Sequence, residues 1–244
     1  MKKVFLLVIG VMALSSCFVR VGNWSSEMIE PSEIIVTQTY ELTAFNEVAM
    51  QGVGNMVLIQ SDTIDGMVEL TAPDNYIELY KIESEGGKLR IGFSKNNINI
   101  NARDVKIKVY AANLTSVQNS GAASVSMDTL HTDQLKVANS GVGSFRLQKV
   151  TAGEVTVRCS GVGDIAISGQ CDNADLSCSG VGSIHAQDLK SQSTEAKVSG
   201  VGNISCHATE YLDGKVSGVG SLRYAGNPKK VNQNKSGVGK ISAI

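Results

Sequence analysis

Three carboxylates lie close to twenty residues apart in the second half of the chain: Asp175, Glu195 and Asp213. Lys197 and Lys215 stand two residues beyond the second and third, and Arg158 holds the same slot two periods before Lys197. Carboxylates gathered with a basic residue are the equipment of polysaccharide lyases and glycoside hydrolases, where one acid ionises while its neighbour keeps a proton. If the chain stacked these residues at the inter-strand spacing of about 4.8 Å, they would repel and raise one pKa. The competing reading is that the basic residues neutralise them in a solvated lattice of weak ion pairs. That reading is favoured. Aromatic residues that could stack on sugars make up only 5% of the chain, and short repeats leave no long loops to wall a cleft. Asp175, Glu195 and Asp213 therefore belong only to an alternative, enzymatic reading.

Other chemistry is thinner. Gly161-Val162-Gly163-Asp164 superficially matches a calcium-binding nonapeptide, but Ser144, Ser183, Asn203, Ser221 and Lys240 occupy the equivalent position elsewhere. A calcium column needs Asp repeatedly. His131, His185 and His207 fall at different repeat positions, so no metal site and no cofactor is expected. No serine has the strand-to-helix setting of a nucleophile elbow. A net charge of −1 and a pI near 6.3 offer nothing to a phosphate backbone, and nucleic acid is not an expected partner.

What positions these residues is a repeat. Ser-Gly-Val-Gly occurs six times, starting at Ser140, Ser160, Ser179, Ser199, Ser217 and Ser236, with a degenerate Ser-Gly-Ala-Ala at Ser120. Starts 18 to 20 residues apart imply one supersecondary unit per repeat, stacked along an axis. Five residues after each serine stand Val125, Phe145, Ile165, Ile184, Ile204, Leu222 and Ile241. Three before it stand Val117, Val137, Val157, Leu176, Ala196, Gly214 and Gln233. Alternate apolar positions of this kind mark strands with one buried face. The unit is too short for a βαβ element or a propeller blade, and the asparagine pattern of a leucine-rich repeat is absent. The expected fold is all-β, a right-handed parallel β-helix. It has regular coils over residues 116–244 and irregular, longer coils over residues 33–115.

Gly-Val-Gly admits two readings. At a sharp corner the valines turn into the core, which is the favoured expectation. In a straight strand they face outward as a ladder of Val142, Val162, Val181, Val201, Val219 and Val238, an apolar binding face. Just before the serines, Asn119 and Asn139 read as a stacked amide ladder, and Cys159 and Cys178 as buried thiols on consecutive coils.

The N-terminus reads as an export signal. Lys2 and Lys3 precede an apolar run, Val4 to Leu14, too short to span a bilayer. Leu14-Ser15-Ser16-Cys17 resembles the bacterial lipobox, so residues 1–17 form a signal peptide, Cys17 is the lipidated residue and residues 18–32 form a flexible tether. No later apolar run approaches membrane-spanning length. Asp62-Thr63-Ile64 and Asp128-Thr129-Leu130 resemble a sugar-attachment triplet of exported bacterial proteins, with Thr63 and Thr129 as acceptors.

With the leader, the phrase Phe45-Asn46-Glu47-Val48 followed by Gly52-Val53-Gly54-Asn55, and the serial Ser-Gly-Val-Gly coils, the chain resembles the head-GIN putative auto-transporter adhesin domain family from about Glu33 onward. The resemblance implies a right-handed β-helix and an envelope location, and carries no catalytic or ligand residues. The expected protein is a non-catalytic β-helix, lipid-anchored in the bacterial envelope at the outer membrane. Its expected partners are a surface glycan or a protein.

Overall fold

The computed structural model describes residues 28–244; the export signal, Cys17 and most of the tether lie outside them. Strand makes up 67% of the model and helix 3%, in a solenoid of about six turns. Each regular coil has two long faces and one short one. The first face starts at the valine of the repeat, as in residues 142–147. The short face holds pairs such as Leu130–His131 against Val150 and Thr151. The second face leads into the next serine, as in Gln134–Asn139. Coils pair in parallel, so positions one period apart become vertical neighbours. Phe145, Ile165, Ile184, Ile204 and Leu222 form one continuous buried column. The opposing column thins from Leu176 through Ala196 to Gly214, and Leu222 fills the space that Gly214 leaves.

The corner itself is made by glycine, for a reason that alternation does not capture. A Cβ on Gly161 would overlap the carbonyl oxygen of Gly141, and one on Gly180 the carbonyl oxygen of Gly161. The second glycine of each motif stacks in the same way, Gly163 over Gly143 and Gly182 over Gly163. The side-chain direction at both glycines therefore points along the solenoid axis, neither in nor out. Gly163, at φ +128°, also takes a backbone conformation that other residues avoid.

The first half departs from expectation. Strands β1 (Ile35–Glu41), β2 (Glu47–Met50), β3 (Val53–Gln60) and β4 (Met67–Pro73) precede a short helix, α1 (Asp74–Ile77). Strands β5 (Tyr80–Glu85), β6 (Lys88–Phe93) and β7 (Lys106–Ala111) follow it. β2 and β3 form a coil that continues the regular stack, pairing in parallel with Ser116–Asn119 and Ala122–Met127, and β6 and β7 extend it in parallel by one further level, on β2 and β3 respectively. Beyond them the expected irregular coils give way to antiparallel pairing, of β1 with β4, β4 with β7 and β5 with β6. These strands and α1 close the core. Tyr76 and Leu70 are fully buried, and Tyr80 stacks at 5.0 Å against Phe93.

Residues 28–32, expected in a loose tether, are tied to this cap. Ile29 N–H donates to the Asn99 carbonyl at 2.9 Å, and the Tyr76 hydroxyl donates to the Ile29 carbonyl at 2.6 Å.

Substituting Gly161→Ala should destabilise the chain by about 1–3 kcal/mol, because the new methyl must force two coils apart. Val201→Ala, on the exposed surface, should stay within about 0.5 kcal/mol. Urea denaturation of both variants followed by circular dichroism checks the contrast.

Candidate functional site

Since the glycines of the corner point along the axis, the valine between them has one direction left. Val142, Val162, Val181, Val201, Val219 and Val238 all face solvent, from 50% exposed at Val162 to 74% at Val238. This corrects the favoured expectation that a corner would draw the valines into the core. The register runs Val53, Ala122, Val142, Val162, Val181, Val201, Val219, Val238 without interruption. At about 4.8 Å per coil the column is roughly 30 Å long. Exposed motif serines such as Ser140, Ser160 and Ser179 border it on one side.

Behind the ridge, in four coils, the corner is held by the side chain of the residue that precedes the serine; Val198 and Val216, in the same slot, pack there as apolar residues. The Asn139 amide donates to the Gly143 carbonyl at 3.2 Å, and Asn119 donates to Asn139 at 3.0 Å. The Cys159 thiol takes over the same bond to the Gly163 carbonyl, and the Cys178 thiol that to Gly182, both at 3.4 Å. In the last coil Lys235 makes it again, to Gly239 at 3.2 Å. The expected amide ladder is thus present, and the two thiols are free and buried. The hydrogen bond to Cys178, followed by burial, drives the Cys159 thiol upward. Burial, aided by the neighbouring Asp172 charge, pushes the Cys171 thiol up to about 12, and burial alone does the same for Cys206.

The carboxylate column also exists as the period requires. Asp175 registers with Glu195, and Glu195 with Asp213, on the outward side of the second face. Their chemistry is occupied. Asp175 accepts both guanidinium nitrogens of Arg158, one at 2.8 Å. Asp213 is nearly buried and is held by Lys215 at 2.6 Å and Asn232 at 3.0 Å. These bonds raise the pKa of Arg158 and Lys215, with Asp175 and Asp213 as the respective first causes. Glu195 is exposed and lies in the field of both cations. The hollow beside them, about 250 Å³, is shallow and walled only by strand side chains. Two of the three acids are thus engaged by cations on the same face, and the geometry supports the ion-pair lattice.

The remaining candidates stay apart. Thr63 and Thr129 are exposed in turns on either side of strands. His131, His185 and His207 do not converge, and no cluster of metal-ligating side chains occurs among the described residues. Sequence reasoning missed Lys235 as a corner residue, because a charged side chain in an inward slot read only as a broken repeat.

The model of the family described as "putative auto-transporter adhesin, head GIN domain" matches residues 44–228. The chain belongs to this family. It is 33% identical to a putative adhesin from Bacteroides fragilis, covering 88% of this chain and all of that one, with a TM-score of 0.86. A putative lipid binding protein from Parabacteroides distasonis shares the fold at 21% identity, 89% and 100% coverage and a TM-score of 0.73. A putative adhesin from Parabacteroides merdae does so at 23% identity, 90% and 100% coverage and a TM-score of 0.63. No curated protein matches the chain. Membership in this adhesin family suggests a surface or extracellular protein, and no helix among the described residues is long and apolar enough to cross a membrane.

The raised thiol pKa values keep Cys171 and Cys206 protonated at pH 8; the bond with Cys159 lowers the Cys178 thiol to about 7, but Cys159 and Cys178 are fully buried and so withheld from the reagent. Alkylation of the native chain at that pH should leave all four unmodified, whereas alkylation in urea should modify each. Peptide mass mapping reads the difference.

Proposed function

We propose that the chain is a lipid-anchored, non-catalytic protein of the bacterial cell envelope, at the outer membrane, that binds a surface glycan or protein along the valine ridge. The observation that carries this reading is the unbroken column of exposed valines. A folded monomer rarely leaves a contiguous apolar stripe uncovered unless something docks on it. Each half-exposed valine offers about 1 kcal/mol on burial, so useful affinity needs several coils at once. Repetition supplies that avidity, because every coil presents the same group at the same spacing. Membership in an adhesin family and the likeness to the Bacteroides fragilis protein support a binding role.

The anchor follows from the lipobox at Cys17, with more than one acyl chain needed for stable attachment. The exposed Thr63 and Thr129 are accessible acceptors for the glycosylation suggested by their triplets. Turnover by Asp175, Glu195 and Asp213 is the weaker reading, since ion pairs already engage two of the three.

A glycan array and isolated envelope polymers, each probed with the full chain, should give binding without reducing-sugar or unsaturated products. Val181→Ser, Val201→Ser and Val219→Ser combined should weaken that binding at least tenfold with little change in Tm, and Asp213→Asn should not create or remove turnover. Product release abolished by Asp213→Asn would replace this reading with the enzymatic one. The anchor is checked separately. The full chain should partition into detergent on phase separation, and its Cys17→Ser variant should remain in the aqueous phase.

A further inference from the structure

The two ends of the solenoid differ in a way the ridge does not explain. At the C-terminal end, Lys230–Lys235 pairs only with Tyr211–Val216, and Val238–Ala243 only with Val219–Ala225, among the described residues. Each therefore leaves one row of backbone N–H and C=O groups without a strand partner. At the other end, among the described residues, β1 pairs only with β4, and β5 only with β6, leaving a second pair of open edges. Apart from the valine ridge, the exposed large apolar residues concentrate at these ends. Met28, Ile34 and Ile35 flank one, and Val231 and Ile244 the other.

Charge separates the ends. The C-terminal edge carries Lys229, Lys230, Lys235 and Lys240, of which only Lys229 has an acidic partner among the described residues, Glu210 at 2.8 Å. The cap edge carries Glu33, Glu41, Glu78, Glu83 and Glu85, which outnumber the nearby Lys81, Arg90, Lys95 and Arg103. Lys81 and Arg90 pair with Glu83 and Glu85, while Glu33, Glu41 and Glu78 form no ion pair among the described residues.

From the open edges, their apolar flanks and their opposite charge we infer that the chain associates head to tail with further copies of itself, the lysine edge of one copy meeting the acidic cap of the next. Strand directions allow it. Two antiparallel steps, from β7 to β4 and from β4 to β1, leave β1 running the same way as every coil strand of its face. A copy shifted along the axis sets Val238–Ala243 beside β1 in parallel, and Lys230–Lys235 beside β5 in antiparallel register. Both arrangements satisfy backbone hydrogen bonds. Joining two lysine edges or two caps sets like charges across the new pair, which disfavours a closed end-to-end dimer. A contact between unlike ends does not close on itself, so it builds an open file in which the valine ridge continues from copy to copy.

Sedimentation velocity on the full chain in a mild non-ionic detergent tests this. At 20 mM salt the mass should rise with concentration through a series without a fixed end, and at 500 mM it should return to the single chain. Lys230→Glu, Lys235→Glu and Lys240→Glu together should abolish association, as should Glu33→Lys, Glu41→Lys and Glu85→Lys together. Mixing these two variants should restore it, since each then meets an opposite edge. The milder pair Lys230→Gln and Lys240→Gln, which threatens folding less, should weaken it in part. A single mass at every concentration and salt, a species that stops at two copies, association indifferent to charge reversal, or a mixture of variants with native circular dichroism that stays monomeric would each overturn the inference.

Discussion

The contact on which the structure depends is one glycine resting on the glycine of the coil below. At the corner of each coil the carbonyl oxygen beneath occupies the volume where any other residue would carry its Cβ. Backbone thus meets backbone without an intervening side chain, and the coil spacing at the corner equals that of the strands beside it. From Gly141 onward two glycines recur in each coil because the chain turns over two such contacts, while Ala123 holds the second site in the coil before; the valine between the glycines is left with the outward direction. The exposed ridge is consequently a product of tight stacking. It cannot be moved inward without rebuilding the corner.

The same constraint explains the residues behind the corner. In several coils the carbonyl of the second glycine takes a hydrogen bond from a side chain behind the corner. A buried acceptor left alone costs about 1–3 kcal/mol, so a donor four residues earlier is useful. Asn139, Cys159, Cys178 and Lys235 are chemically dissimilar, yet each reaches that one oxygen. Polarity in an otherwise apolar column therefore reflects geometry local to the corner. The pairing of Cys159 with Cys178 needs no redox role to account for it.

Periodicity made much of this legible. A fixed repeat determines which residues become vertical neighbours, and so the buried column from Phe145 to Leu222 and the outward file of Asp175, Glu195 and Asp213 could both be placed from spacing alone. Three things could not. Alternation assumes that side chains point in or out, and so it misjudged the valines, whose neighbours point along the axis. It carries no sign for strand direction either: β1 and β4 alternate much as the coil strands do, so the antiparallel cap was read as more coils. Finally, spacing lists the charges of the second face without saying which pairs form. The bidentate grip of Arg158 on Asp175 comes from the reach of its guanidinium across to the next coil.

The two ends also give the solenoid a direction in stability. A stacked repeat gains most of its free energy from its neighbours, so a terminal coil is held from one side only. At the N-terminal end that deficit is made up by Tyr76, Ile77 and Tyr80, which seal the core beneath an antiparallel cap. At the C-terminal end Gln233 and Lys235 occupy the inward slots of the last coil, and every residue of Lys230–Lys235 is exposed. Polar residues there keep an uncovered coil soluble where apolar ones would promote collapse or aggregation. They also make that coil the first to open, since few buried apolar contacts oppose its separation. A surface presented by repetition is then firmest near the cap and most adaptable at the far end, where Val238 is the most exposed member of the ridge.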